Sequence, residues 1–227
     1  MEDNTKTTTA RRGFLQKLAG GIAALGLASV AAPVKAFSKT VAPQTAGNTA
    51  DQWFDQVKGK HRIVYDATRP HDSFPLAWSW VFLKTNNETG TPDNDLGVVL
   101  VLRHEAIVMA MPDALWAKYK LGEMVKVDDA ATKVPSLRNI YWHPKSGDLS
   151  MDDWAIDKLQ KRGVMVCVCA MAIHAYSSKI AAQMKLNAAD IEKELLAGVL
   201  PGIQTVPAGV WAVGRAQEHG CAYCFAG

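Results

Sequence analysis

Cysteine is scarce, long apolar runs are missing, and no excess of one charge remains once the first 36 residues are set aside. Each shortage excludes something. Four cysteines in 227 residues are too few for a disulfide scaffold, and a chain of this size builds a core without one. The longest apolar run, residues 18–32, has 15 residues, which is short for a bilayer span, and no later stretch is long and apolar enough to cross a membrane. Residues 1–36 carry five Lys/Arg (Lys6, Arg11, Arg12, Lys17, Lys35) and two acids (Glu2, Asp3). Subtracting these from 25 basic and 22 acidic residues leaves 20 and 20 in the remaining 191. A formally neutral body offers no phosphate-binding field, so nucleic acid is not an expected partner. No glycine-rich phosphate loop is present, and Ser177 and Ser178 lack the G-x-S-x-G context of a hydrolase nucleophile.

What is present begins with Arg11-Arg12-Gly13-Phe14-Leu15, which follows a polar start and precedes the apolar run. That is the layout of a twin-arginine export signal. Val34-Lys35-Ala36 has the small-residue form of a cleavage site, and Lys35 beside it suits the twin-arginine route. The expectation is a signal peptide over 1–36, then a tether and short N-terminal segment over 37–60, then one domain over 61–227. The product is expected in the periplasm, exported folded, with no membrane attachment after cleavage; an uncleaved anchor is the alternative. Cys167, Cys169, Cys221 and Cys224 all fall in the exported part, where thiol chemistry meets an oxidising compartment.

Along the body, short apolar β-rich runs alternate with helical patterns. Strands are expected over 61–66, 96–102, 164–168, 202–206 and 221–225. Helices are expected over 74–86, from Asp113 through Leu121 with a stop at Gly122, from 150–153 through Lys161, and over 170–185, 188–196 and 209–218. Strands alternating with helices predict an α/β fold, a mostly parallel five-stranded sheet with helices on both faces. Residues 123–150, with Pro135, Trp142, His143, Pro144 and Gly147, are long for a connection, a length common in lids and partner contacts. Trp78, Trp80, Trp116 and Trp154 read as helix core residues.

A resemblance enters at Gly163. The run Gly163-Val164-Met165-Val166-Cys167-Val168-Cys169, the segment Leu200-Pro201-Gly202-Ile203-Gln204-Thr205-Val206-Pro207-Ala208-Gly209-Val210 and the close Ala216-Gln217-Glu218-His219-Gly220-Cys221-Ala222-Tyr223 resemble the DsrE/DsrF-like family, in particular its exported single-chain members. Leu102-Arg103-His104 is similar to the histidine that ends the family's second core strand. The resemblance implies a DsrE-like three-layer sandwich and assembly into homotrimers or homohexamers. It also implies a strand-end cysteine, here Cys169, that carries sulfur as a persulfide. The partner would be a sulfur-donor or acceptor protein or a small thiol. Cys167, Cys221, Cys224 and the 123–150 insertion depart from the family pattern.

Cys169 stands where a strand runs into a helix, at the carboxyl edge where ligands of parallel sheets collect. Free N–H groups and the positive dipole end of that helix favour an anionic sulfur; the alternative is a buried, inert thiol. Cys167 shares its strand face by alternation and reads as core. Cys221 and Cys224 are three apart in a predicted strand, which points their sulfurs to opposite faces. His104 would assist Cys169 as acid, base or ligand, or serve as a structural hydrogen-bonding residue. No cofactor is required by this reading. The rival reading is a non-enzymatic binding or assembly protein, with structural cysteines or a zinc or copper site drawn from Cys167, Cys169, His174 (or His219), Cys221 and Cys224. His71 with Asp72, and His143 with Trp142, are loop residues able to edge a pocket.

Overall fold

The computed structural model describes residues 50–226. The expected export signal, with Arg11 and Arg12, and the expected tether as far as residue 49 lie outside the described residues. Five strands, β1 (His61–Ala67), β2 (Leu96–Leu102), β3 (Met165–Cys169), β4 (Ile203–Val206) and β5 (Ala222–Phe225), form one sheet in the order β4-β3-β2-β1-β5. Every pairing is parallel. The central strand β2 is buried at all seven positions, as its unbroken apolar sequence requires of a strand covered on both faces.

Alternation along the strands sorts the interior into two cores. Tyr65, Ala67, Leu100, Leu102, Val166 and Val168 face the larger one. It is closed by α1 (Phe74–Glu88), the 3-10 segment His104–Ala110, α2 (Asp113–Tyr119), α4 (Ile156–Lys161), α5 (Ala170–Met184) and α6 (Ala188–Ala197). Val64, Val99, Val101, Cys167 and Val206 face the smaller core. There α7 (Gly209–Glu218) lies across the sheet through Ala212 and Ala216, and Phe54 of a 3-10 turn fills one end. Small residues on α7 let the helix sit close over the valines. The architecture is the three-layer α/β sandwich that the strand–helix rhythm predicts. No helix among the described residues is long and apolar enough to cross a membrane.

Local differences from the sequence reading have physical causes. The helix from Asp113 does not stop at Gly122. It breaks at Lys120, in the left-handed region at φ 49°, and restarts as α3 (Leu121–Val125). Gly122 lies inside α3, where a Cβ would come within 2.2 Å of the Ser136 carbonyl oxygen, so glycine serves close approach there and not a helix stop. The helix before β3 is likewise split, into a 3-10 turn at Asp152–Trp154 and α4. Trp116 is fully buried, and Trp80 and Trp154 pack against the core. Trp78 does not; it stacks on Phe74 at 5.3 Å and is exposed.

The 123–150 segment is anchored against the core. Buried Asn139 donates to the carbonyls of Met109 (2.9 Å) and Met111 (2.8 Å) and accepts from the Tyr141 N–H at 2.8 Å. Arg138 joins Asp129 (3.2 Å) and the buried carboxylate of Asp148 (2.6 Å). The start of α6 is capped as its sequence predicts. Asn187 accepts from the N–H groups of Ala189 (2.8 Å) and Asp190 (3.3 Å) at the start of α6. Asn187→Ala is expected to lower stability by about 1 kcal/mol, read as a shift of the urea midpoint at constant slope.

Candidate functional site

Connections leave the carboxyl ends of β1, β2 and β3 toward the larger core, whereas β4 runs into α7 on the other face. Neighbouring strands whose connections diverge open a crevice at their carboxyl ends. Here that crevice lies between Cys169, the last residue of β3, and Val206, its register partner on β4. Cys169 is also the N-cap of α5: its Sγ accepts the Ala172 N–H at 3.2 Å. The Met171 N–H donates to the Pro207 carbonyl at 3.2 Å, tying the two sides of the crevice together.

Three stripes of the smaller core continue to this edge and end in polar groups. On β1, Val64 is followed two residues on by Asp66. On β2, Val99 and Val101 lead to Arg103. On β3, Cys167 leads to Cys169. Period-two alternation puts all three ends on the α7 face. Asp66, buried, accepts from Arg103 at both oxygens (2.6 and 2.9 Å) and from the Tyr223 hydroxyl at 3.1 Å. Hydrogen bonding to Asp66 raises the Arg103 guanidinium above its ordinary value; burial opposes this, and the charges of Asp66, Tyr223 and Cys169 add to it. Arg103 is thus a fixed cation within electrostatic reach of the Cys169 sulfur. Gly209 opens α7 beside it, where a Cβ would come within 2.6 Å of the Arg103 Cβ. Only glycine lets that helix start approach so closely.

The other predicted site residues fall elsewhere. His104 follows Arg103 but is exposed on the other face of the sheet: its Nδ1 lies 3.4 Å from the Tyr176 hydroxyl, and the two rings meet edge to face at 5.6 Å. The side chain that β2 places on the Cys169 face is Arg103. Cys167 is fully buried, and desolvation pushes its thiol far above the ordinary range. Burial likewise pushes the Cys221 thiol up to about 11. Cys224 sits on the opposite face of β5, packed against the larger core, as the offset of three predicts. His174 pairs with Glu192 at 2.9 Å across α5 and α6, and His219 faces Asp55 at 3.9 Å.

The five residues of the zinc or copper alternative do not form one donor set. Three strand spacings, about 14 Å, separate β3 from β5. Cys221 precedes the partner of Ile63, whereas Cys167 is level with Val101 and Asp66, so they lie toward opposite ends of the sheet as well. Among the described residues, no group of three or more His, Cys, Asp or Glu is placed to hold a metal ion, and all four cysteines are free thiols.

Sequence reasoning passed over Asp66, Arg103 and Tyr223. The signal for the first two was available: each is a charged residue placed two steps beyond an apolar residue at the end of a buried strand. Tyr223 carried none, because its role depends on β5 lying beside β1. No family model matches the chain, and no curated protein matches it.

Proposed function

We propose that this is an exported, DsrE/DsrF-like sulfur-handling protein, working as a homo-oligomer, in which Cys169 accepts and passes on one sulfur atom. The observation that carries the reading is the position of Cys169, at the β3/β4 crevice, as N-cap of α5, with the Ala172 N–H on its sulfur and the Arg103 cation at the end of the neighbouring strand β2, within electrostatic reach. Donors aimed at a sulfur anion stabilise it as thiolate and as persulfide. In the step, the Cys169 thiolate attacks the outer sulfur of a donor persulfide, R–S–SH. A Cys169 Sγ–S bond forms, the donor S–S bond breaks, and R–S⁻ leaves. The exchange balances without an added oxidant. Arg103 steadies the negative charge, and Asp66 and Tyr223 hold Arg103 in place. The role expected of His104 passes to Arg103 in this reading. Cys169 retains only 6% of its surface, so the donor must present an extended, unhindered sulfur.

The test is the intact mass of the protein purified from the periplasm, with and without reductant and after alkylation. The expected result is a reducible gain of one sulfur that maps to Cys169 and is lost in Cys169→Ser, with Cys167 unmodified until the protein unfolds. Four unmodified and unreactive thiols would sink the proposal and leave a binding or structural role for the cysteines.

A further inference from the structure

A cavity of about 650 Å³ lies between the β1–α1 loop and the 123–150 segment, on the side of the sheet away from Arg103 and Cys169. Its volume is that of a small-molecule site. Three independent features distinguish it from a gap between loops.

The first is backbone strain. His71, Asp72 and Ser73 follow one another with φ of 42°, 50° and 70°. Each non-glycine residue in that region costs on the order of 1 kcal/mol. Such runs persist where the surroundings fix them, and here they turn Ser73 inward, to 5% exposure.

The second is a pair of hydroxyls on buried side chains that open on the cavity. Tyr141 is 1% exposed, and both it and Ser73 line the cavity. Among the described residues, neither the Tyr141 hydroxyl nor Ser73 Oγ has a hydrogen-bond partner, and neither is sealed from the cavity. Both hydroxyls belong to buried side chains and open on one space, so they are placed to hydrogen-bond what fills it.

The third is charge. Three of the charged groups around the cavity are already committed: Arg69 and Glu105 to each other at 3.2 Å, and Asp148 to Arg138. Among the described residues, Asp72 and Asp128 then face the space without an ion-pair partner, against Lys126 alone. The remaining field favours a cation, and the hydroxyls favour a ligand rich in hydrogen-bonding groups.

We propose that this cavity binds a small polyhydroxylated amine, its ammonium group held by Asp72 and its hydroxyls by Ser73 Oγ and the Tyr141 hydroxyl. The site is built by the 123–150 segment and is separate from the Cys169 crevice.

Calorimetric titration of the full chain with glucosamine, with glucose as the ring of similar shape lacking the ammonium group, tests this. Glucosamine is expected to bind saturably and about ten-fold more tightly than glucose. Asp72→Asn is expected to erase that preference. Tyr141→Phe is expected to weaken both sugars about five-fold while leaving Tm unchanged or higher, because the hydroxyl makes no internal bond to lose. Cys169→Ser is expected to leave binding intact. Absence of saturable glucosamine binding, which would leave only water in the cavity, overturns the proposal. So does equal binding of glucose, or a Tyr141→Phe variant that loses stability and binds as before.

Discussion

Asp66→Asn is expected to lower the stability of the folded protein by about 2–3 kcal/mol, a fall in Tm of about 5–10 °C for a chain of this size. The substitution keeps the shape of the side chain and removes its charge. Arg103, only 27% exposed at its side chain, is left as an uncompensated cation, and Tyr223 loses an ionic acceptor. The figure lies below the 3–5 kcal/mol typical of a fully buried pair because Arg103 keeps some water. A double-mutant cycle with Arg103→Met checks it: the double variant should recover more than half of the summed losses, whereas additive losses would show that the pair is not coupled. The same Arg103→Met variant probes the site. Iodoacetate carries a negative charge and iodoacetamide does not. If Arg103 supplies the local positive field, its removal slows alkylation of Cys169 by iodoacetate more than by iodoacetamide; equal slowing would assign Arg103 a purely structural part.

Asn139→Ala is expected to cost more, about 3–5 kcal/mol, because it strands two buried carbonyls and one buried N–H at once. The amide of Asn139 is the peg that fixes the 123–150 segment to the end of the 3-10 segment, at Met109 and Met111. Asn139→Asp keeps the acceptor for the Tyr141 N–H but, when ionised, offers no donor to the two carbonyls, so its loss should be similar. Urea unfolding measures both. Hydrogen exchange at Tyr141 separates the explanations: accelerated exchange in the alanine variant shows that the peg holds the segment down, and unchanged protection shows that other contacts, such as Arg138 with Asp148, suffice.

Much of the fold was legible in the sequence because β2, β3 and the run before α7 have simple patterns. Apolar runs bounded by glycine, and helices opened by residues such as Asn187, carry their own local instructions. Cys169 was legible for the same reason, since a strand running directly into a helix fixes both its place at the edge and its capping geometry. The rest depended on neighbours distant in sequence. Gly122 continues into a second helix and meets the Ser136 backbone there, a contact that local propensity cannot show. Trp78 looked like core at helical spacing, but the edge strand β5 leaves that side of α1 uncovered. His104 stands out by the resemblance and by its place after a buried strand, and Arg103 beside it draws no notice. Strand alternation, applied one residue further, would have chosen Arg103. Asp72 and Tyr141 meet only through a segment whose sequence shows no periodicity.

The pairing of β5 with β1 has a consequence for how the molecule comes into being. Tyr223 closes on Asp66 across 157 residues, so the edge of β1 stays unpaired until nearly all of the chain has been synthesised. Long-range parallel pairing of this kind is slow, and open strand edges invite wrong partners while they wait. The Arg103 counter-ion network is therefore among the last parts to mature, and Cys167 and Cys169, once synthesised, wait for Tyr223 before the pocket around them is finished.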